Sequence, residues 1–525
     1  MVREIIPSFL ISGAFLFVAK PVHANEPFQP TWRSLESQYQ TPDWFRDAKF
    51  GIWAHWSAQS EPEQGDWYAR KLYVQGSPDY AYQVEHYGHP SKAGFKEVIR
   101  EWRAEHFDPD KLLAFYNENG AKYFMALAVH CDNFDNYNSK YQPWNSVNLG
   151  PHRDIIGDWA AAASKLGLRF GVSVHAGGWT WRWYEVAQGA DMNGPLAGVT
   201  YDGNLTKADG RGLWWDGFAP KDLYAQNHPL SAKPDQAYCE KFFRRTQQLW
   251  DDYRPDLIYF DETVVPMGRL GVGDQYGLNL YAHFYNTSRQ WHHGTNEAVI
   301  TAKMLDRKER KGLVYDIERG KASGILPQPW QTDTCLGDWH YRRAIFEKHQ
   351  YKTADKVIPM LADIVSKNGN LMLSVPVCAD GTIDSDEQKI VSDIGAWLKV
   401  NGEAIYGTRP WKIYGEGRST KAQEKGHFDG VKDVSSKPYT GADLRFTQSK
   451  DGKTLYVIGL AFPPDSKVTI KSLAENSRYW NGEIGSVQLL GEVSEMKFTR
   501  DKTGLHIALP AQKPCDIAFA LKIKK

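Results

Sequence analysis

No charge of one sign prevails in this chain: 63 Lys and Arg stand against 63 Asp and Glu. That balance, with no long basic run, excludes the broad attraction that nucleic acids and anionic membranes offer to basic proteins. A neutral ligand is expected ahead of a polyanion. Cysteine is scarce. The five residues at 131, 239, 335, 378 and 515 are odd in number and widely spaced, which fits neither a disulfide framework nor a CxxC metal pattern. Neither GxGxxG nor GxxxxGK[ST] occurs, so the phosphate-cradling loops of nucleotide-binding folds are missing. Internal repeats and low-complexity tracts are missing as well. Long apolar runs are lacking except at the start, where Arg3 precedes an apolar stretch from Phe9 to Ala19 and Val22-His23-Ala24 follows. This is the pattern of a signal peptide, and Lys20 and Pro21 make it too short and broken to span a bilayer. Residues 1–24 are therefore expected to be an export address, with the periplasm as first destination and secretion or surface display as alternatives.

What the chain has in abundance is aromatic surface, with 20 Trp and 27 Tyr. Large cores account for such numbers, and so does sugar binding, in which ring faces pack on sugar C–H faces while polar groups take the hydroxyls. The clusters Trp179-Thr180-Trp181-Arg182-Trp183-Tyr184 and Trp214-Trp215 favour a glycan site. A length of 525 residues exceeds the roughly 250–300 that one core supports, so at least two domains are expected.

Between about residues 45 and 400, strand-like and helix-like segments alternate. Lys49–His55, Lys122–His130, Leu168–His175, Asp256–Asp261, Ala298–Lys303, Leu313–Glu318 and Asn370–Val375 read as buried parallel strands. An eighth is expected at Val357–Ile364 or near Trp330. Helices are predicted over Asp154–Leu166, Gln236–Asp252 and Asp384–Val400, the first with Ile155, Ile156, Trp159, Ala163 and Leu166 on one face, the last with Asp384 and Glu387 at capping spacing. Eight such units close a (β/α)8 barrel; an open doubly wound sheet is the rival. Beyond Trp411 the texture changes to short strand-like runs such as Lys453–Ala461 and Lys467–Ile470 with Asp451-Gly452 and Asn481-Gly482 turns, which predicts an antiparallel β-sandwich. The expected layout is a leader over 1–24, a catalytic domain over 25–410 and a sandwich over 411–525, with Pro410 to Gly417 as the passage between them.

Several predicted strands end in residues able to do chemistry: His55, His130, His175, Asp261 and Glu318. Barrel enzymes gather their active sites at those ends, from different strands. Asp261 closes an apolar run beside Tyr259 and Phe260, where a short carboxylate is fixed well enough to attack a sugar carbon; a helix cap or an ion pair is the plain alternative. Glu318 ends another strand, with Asp316 on the same face and Arg319 beside it; a surface ion pair is its plain alternative. His130-Cys131-Asp132 alone is a poor zinc set, because adjacent side chains point to opposite strand faces.

The chain resembles the α-L-fucosidases of glycoside hydrolase family 29. The resemblance runs from about Trp44 to Trp411 through KFGIWAHWS (49–57), DWYAR (66–70), KYQPWNSVNLGPHRD (140–154), PDLIYFDE (255–262), ERG (318–320), PWQTD (329–333), SKNGNLMLSVPVCADGTI (366–383) and VNGEAIYGTRPW (400–411). It implies a retaining exo-fucosidase with Asp261 as nucleophile and no metal or organic cofactor. It also implies sugar-binding roles for His55, Asp66, Trp67, His130, His175, Arg319 and Trp330, and Tyr259 of the nucleophile segment is counted with them. Relatives often carry a second histidine where Cys131 stands, Glu where Asp66 stands and Glu where Gln331 stands. With Gln at 331, Glu318 is the expected acid/base, ahead of Glu262 and Asp333. The implied partner is a fucosylated glycan. A silent glycan-binding protein on the same scaffold and a hydrolase of α-L-galactose are the alternatives.

Overall fold

The computed structural model describes residues 26–525 except 226–227, 230, 262–271, 273, 422 and 429. The expected leader over 1–24 and the alternative acid Glu262 lie outside the described residues. Eight parallel strands close into a barrel, in the order β1 (Phe50–Ala54), β2 (Tyr123–Val129), β3 (Arg169–Val174), β4 (Leu257–Phe260), β5 (Val299–Lys303), β6 (Val314–Asp316), β8 (Trp330–Cys335) and β9 (Gly369–Ser374), with β9 pairing back onto β1. The intervening two-residue β7 (Gly320–Lys321) leaves the barrel to pair with β11 (Val431–Lys432). The strands are buried almost throughout, which is why they read as continuous apolar runs rather than alternating ones.

The eighth strand is the one near Trp330. Val357–Ile364 belongs instead to the helix Ala354–Ser366, which is buried nearly all round between β9 and the C-terminal strands. A helix with no solvent face loses its polar stripe, and its sequence then imitates a buried strand. The helix Ile155–Leu166 starts where the Asp154 carboxylate accepts the Gly157 N–H (2.9 Å) and stops at Gly167 in the left-handed region (φ 62). Its Ile155, Ile156, Trp159 and Ala163 are buried but Leu166 is left exposed. The helix Ser385–Asn401 opens with the reciprocal Asp384–Glu387 cap, a device worth about 1 kcal/mol.

The C-terminal region pairs a five-stranded antiparallel sheet with a three-stranded one. The first has the order β10 (Arg409–Glu416), β12 (Leu444–Gln448), β13 (Thr454–Gly459), β18 (Phe519–Lys524), β15 (Ser486–Leu489); the second has β14 (Lys467–Ile470), β17 (Leu505–Ala508), β16 (Phe498–Arg500). Alternate residues such as Trp411, Phe446, Val457, Ile470, Ile507 and Leu521 form its core. The stretch expected as a passage, Pro410 to Gly417, is largely β10, an edge strand of the larger sheet.

Candidate active site

Side chains at the C-terminal ends of the barrel strands and just beyond them line one cavity of about 140 Å³. That is smaller than the ~300–1,000 Å³ of a drug-sized site and suits a single small ring. One wall is built of histidines. β1 turns Trp53 inward, and two residues on His55 takes the same face. His55 is 3% exposed, and neither ring nitrogen has a hydrogen-bond partner among the described residues, an arrangement that buried polar groups rarely keep unless a ligand completes it. Beyond β2, His130 Nδ1 accepts from Gln59 Nε2 (2.6 Å), whose amide is oriented by the Ala69 N–H at its Oε1 (3.3 Å). The His130 proton is thereby placed on Nε2, 3.8 Å from Asp66 Oδ1. His340 Nδ1 lies 2.8 Å from the same Asp66 oxygen, and its Nε2 lies 3.0 Å from Ser57 Oγ.

Burial drives His55 well below the usual imidazole range, helped by the His340, His175 and His130 rings. It does the same to His130 against the pull of Asp66, and brings His340 to about 3. Burial likewise raises Asp66. The wall is therefore a set of neutral imidazoles around one carboxyl. Donor atoms of His55, Asp66, His130 and His340 lie within 4.8 Å of one another, a set that a divalent ion could use. Asp66 and His340 are already paired to each other, and the mix of neutral donors and acceptors also matches neighbouring sugar hydroxyls.

The opposite wall is ionic. β4 presents Tyr259 and Asp261 to the cavity, β5 ends in Lys303, and the chain beyond β6 supplies Glu318. Lys303, 5% exposed, bonds Asp261 Oδ1 and lies 2.5 Å from Glu318 Oε2. His175 Nδ1 stands 3.1 Å from Asp261 Oδ2, close enough for an ion pair although off the line of a hydrogen bond. The Tyr259 hydroxyl donates to Asp333 Oδ2 (2.9 Å) and lies 3.4 Å from Asp261 Oδ1. Burial alone would raise Asp261, but Lys303 and His175 outweigh it and hold the carboxyl well below the usual range. Glu318 moves the other way: burial, with Asp333 and Asp261 acting in the same direction, outweighs the downward pull of Lys303. The two carboxyls are thus pushed apart, Asp261 toward its ionised form and Glu318 toward its protonated one.

Aromatic rings complete the cavity. The Trp53 ring lies 4.7 Å from that of His55 and 5.5 Å from that of Trp339. Trp67 and Trp179, 37% and 39% exposed, stand at the mouth. Phe428, from beyond β10, sits with its ring centroid 5.2 Å from Lys303 Nζ.

Eight of the ten residues singled out in the sequence line this cavity: His55, Asp66, Trp67, His130, His175, Tyr259, Asp261 and Glu318. Two do not. Trp330 is the first residue of β8, at the end of the barrel away from the cavity, where its buried indole donates to the Lys367 carbonyl (2.9 Å). Arg319 has a left-handed backbone (φ 46) that turns the chain between Glu318 and β7, and its side chain is not among the lining groups. Gln331 lies below the cavity inside the barrel, bonded to Asp316 (2.7 Å) and the Tyr123 hydroxyl (3.2 Å). Lys303, Trp339, His340 and Phe428 also line the cavity or its wall without having stood out as site residues in the sequence. Lys303 closes a predicted strand and obeys the same strand-end rule as Asp261; Phe428 had no local signal at all.

Known proteins resemble this chain over nearly its whole length. Residues 15–403 match the alpha-L-fucosidase family model, and residues 437–524 match the model of the alpha-L-fucosidase C-terminal domain. The tissue alpha-L-fucosidase of Homo sapiens is 26% identical over 98% of this chain and 97% of its own length. The human plasma alpha-L-fucosidase is 25% identical over 96% and 94%. The crystal structure of Thermotoga maritima alpha-fucosidase in complex with fucose superimposes with a TM-score of 0.70 at 25% identity, covering 94% of this chain and 100% of that one.

Proposed function

This chain belongs to the α-L-fucosidase family of glycoside hydrolases, and from that footing we propose that it removes terminal α-L-fucose from glycans by double displacement. The observation that carries the mechanism is the ammonium shared by the two carboxylates. Two oxygens bonded to one nitrogen stand no farther apart than two hydrogen bonds end to end, roughly 5–6 Å. That span supports retention, in which the carboxyls stand ~5–5.5 Å apart, over inversion, which needs ~6.5–9.5 Å to admit a water.

Fucose enters with its hydroxyls on His55, His130 and Asp66 and its methyl against the aromatic wall. An Asp261 oxygen attacks C1 as the bond from C1 to the glycosidic oxygen breaks, and that oxygen takes the proton of Glu318. The products are a fucosyl ester on Asp261 and a free aglycone. Esterification removes the Asp261 charge that had raised Glu318, while Lys303 stays in place, so the Glu318 carboxyl falls toward its ionised form. It then takes a proton from water, whose oxygen attacks C1 and releases fucose with Asp261 restored. Two inversions give net retention. Export to the periplasm through residues 1–24 belongs to the same proposal; cell fractionation and a mature chain beginning at Asn25 would check it.

The decisive variant is Asp261→Gly. Its turnover of 4-nitrophenyl α-L-fucoside should fall on the order of 10⁴-fold, the scale of losses at catalytic residues that act as a unit. Added azide should restore release of nitrophenol and yield the β-L-fucosyl azide, because azide attacks from the side the carboxylate vacated. A near-normal rate without azide, or an α-configured azide product, would take the nucleophile's role away from Asp261.

A further inference from the structure

The segment that leaves the active site at Glu318 leads directly to a second hollow. Lys321, three residues on, lines a cavity of about 420 Å³ with Arg418, Lys421, Lys432 and Lys437. Among the described residues that line it, only Glu424 and Asp443 oppose them, and both are engaged. Glu424 pairs with Lys432 (2.6 Å), and Asp443 accepts the Ser419 and Thr440 N–H groups (2.9 Å each). Lys421 and Lys437 enter no ion pair among the described residues. Behind Lys321 the surplus has the same sign. Buried Asp363 is shared by Lys321 (3.4 Å), Lys367 (2.8 Å) and Arg445 (2.5 Å), so one carboxylate serves three cations. Burial, with Lys321 and Arg445 acting alongside it against Asp363, pulls Lys367 down to about 8. A neighbouring hollow of about 700 Å³ shares Arg418 and Lys421 and adds Lys471, Arg478 and Lys502, with Glu416 bound to the Lys471 and Ser472 N–H groups. In a chain with no net charge, such a track is a local concentration of cations, not a general background.

The track adjoins the reaction site through two connections. Glu318 and Lys321 are separated by at most about 10 Å of backbone. β11, paired with β7, follows the turn closed by the Gly426 N–H on the Gly430 carbonyl, and that turn carries Phe428 into the active-site cavity. We propose that sugars beyond the scissile bond run along this track, which selects glycans bearing sulfate esters or carboxylates on the aglycone side. The direction rests on Glu318 being the group that protonates the leaving oxygen. Lysine ammonium groups suit both anions as point charges, and two adjoining hollows can engage more than one.

The test uses three fucosyl oligosaccharides that differ only on the sugar beyond the scissile bond: unsubstituted, O-sulfated and carboxylated. Each is titrated into Asp261→Asn, which binds without turnover, at low and at high salt. The anionic ligands should bind about tenfold tighter than the neutral one at low salt, and the preference should shrink as salt screens it. The double variant Lys421→Gln/Lys437→Gln should lose the preference while hydrolysing 4-nitrophenyl α-L-fucoside as the native chain does. Which anion gains more identifies the substituent. Equal affinity for all three, or a preference that survives the double variant, overturns the proposal. Failure of the native chain to cleave the aryl fucoside would instead sink the fucosidase reading, which the affinity comparison does not depend on.

Discussion

The two walls of the pocket use similar strand ends but treat charge in opposite ways. His55, His130 and His340 are buried together, and burial above all pushes each toward the neutral form, with neighbouring imidazoles adding to it. Their nitrogens offer direction without charge. Across the cavity, Asp261, Glu318 and Asp333 are gathered around a single buried ammonium. There each group's protonation depends on the others', so one can hold a proton while its neighbour cannot. In the proposed mechanism the imidazoles serve recognition and the coupled carboxyls serve reaction.

Three substitutions would sharpen or break that contrast. The largest effect is expected from Glu318→Gln, which should cost about 10²–10⁴-fold in kcat/KM on oligosaccharides, whose leaving oxygen needs a proton. The loss should be far smaller on 4-nitrophenyl fucoside, whose leaving group does not; equal losses on both would remove Glu318 from the acid's role. Next is Lys303→Met, which should cost on the order of 10²-fold and displace the whole pH profile. Without the cation both carboxyls titrate higher. The acid limb, where Asp261 becomes protonated, and the alkaline limb, where Glu318 loses its proton, should both move to higher pH. A profile of kcat/KM against pH that stays in place would show that Lys303 only fills space. The smallest effect is expected from His55→Phe. Losing one hydrogen bond to the sugar, about 0.5–1.5 kcal/mol, should raise KM roughly 2–10-fold. Because the ring is neutral, that loss should be flat from about pH 5 to 8. A pH-dependent loss would mean that the histidine wall carries charge after all.

How far the sequence was legible follows from how each residue reaches the site. His55, His130, His175 and Asp261 follow directly on strands whose apolar runs mark where they end, so the strand-end rule finds them. Lys303 satisfies the rule equally well but carries no sugar chemistry of its own; its importance lies in which two carboxylates it touches. Trp330 misled because a Pro-Trp motif shows neither which end of a strand the indole occupies nor which side of the barrel it faces. His340 and Trp339 lie in an irregular segment after β8 with no period to mark them. Phe428 and the basic track are remote from the other site residues in the chain, and a balanced charge count concealed the track because the compensating acids lie elsewhere.

By itself the sequence determined what local chemistry can specify: the strand and helix periods, the two-domain layout, the residues that end each strand, and a family resemblance spread over many motifs. These depend on near neighbours along the chain, and near neighbours are what a sequence records. Only the tertiary structure decided which strand ends share a cation, which histidines are buried together and so stay neutral, and where the surplus lysines and arginines collect. Those outcomes depend on distances between residues tens to hundreds of positions apart, such as the 42 positions between Asp261 and Lys303 and the 82 between Asp363 and Arg445. Burial and Coulomb energy act through space, and only closing the barrel and docking the sandwich against it sets those distances.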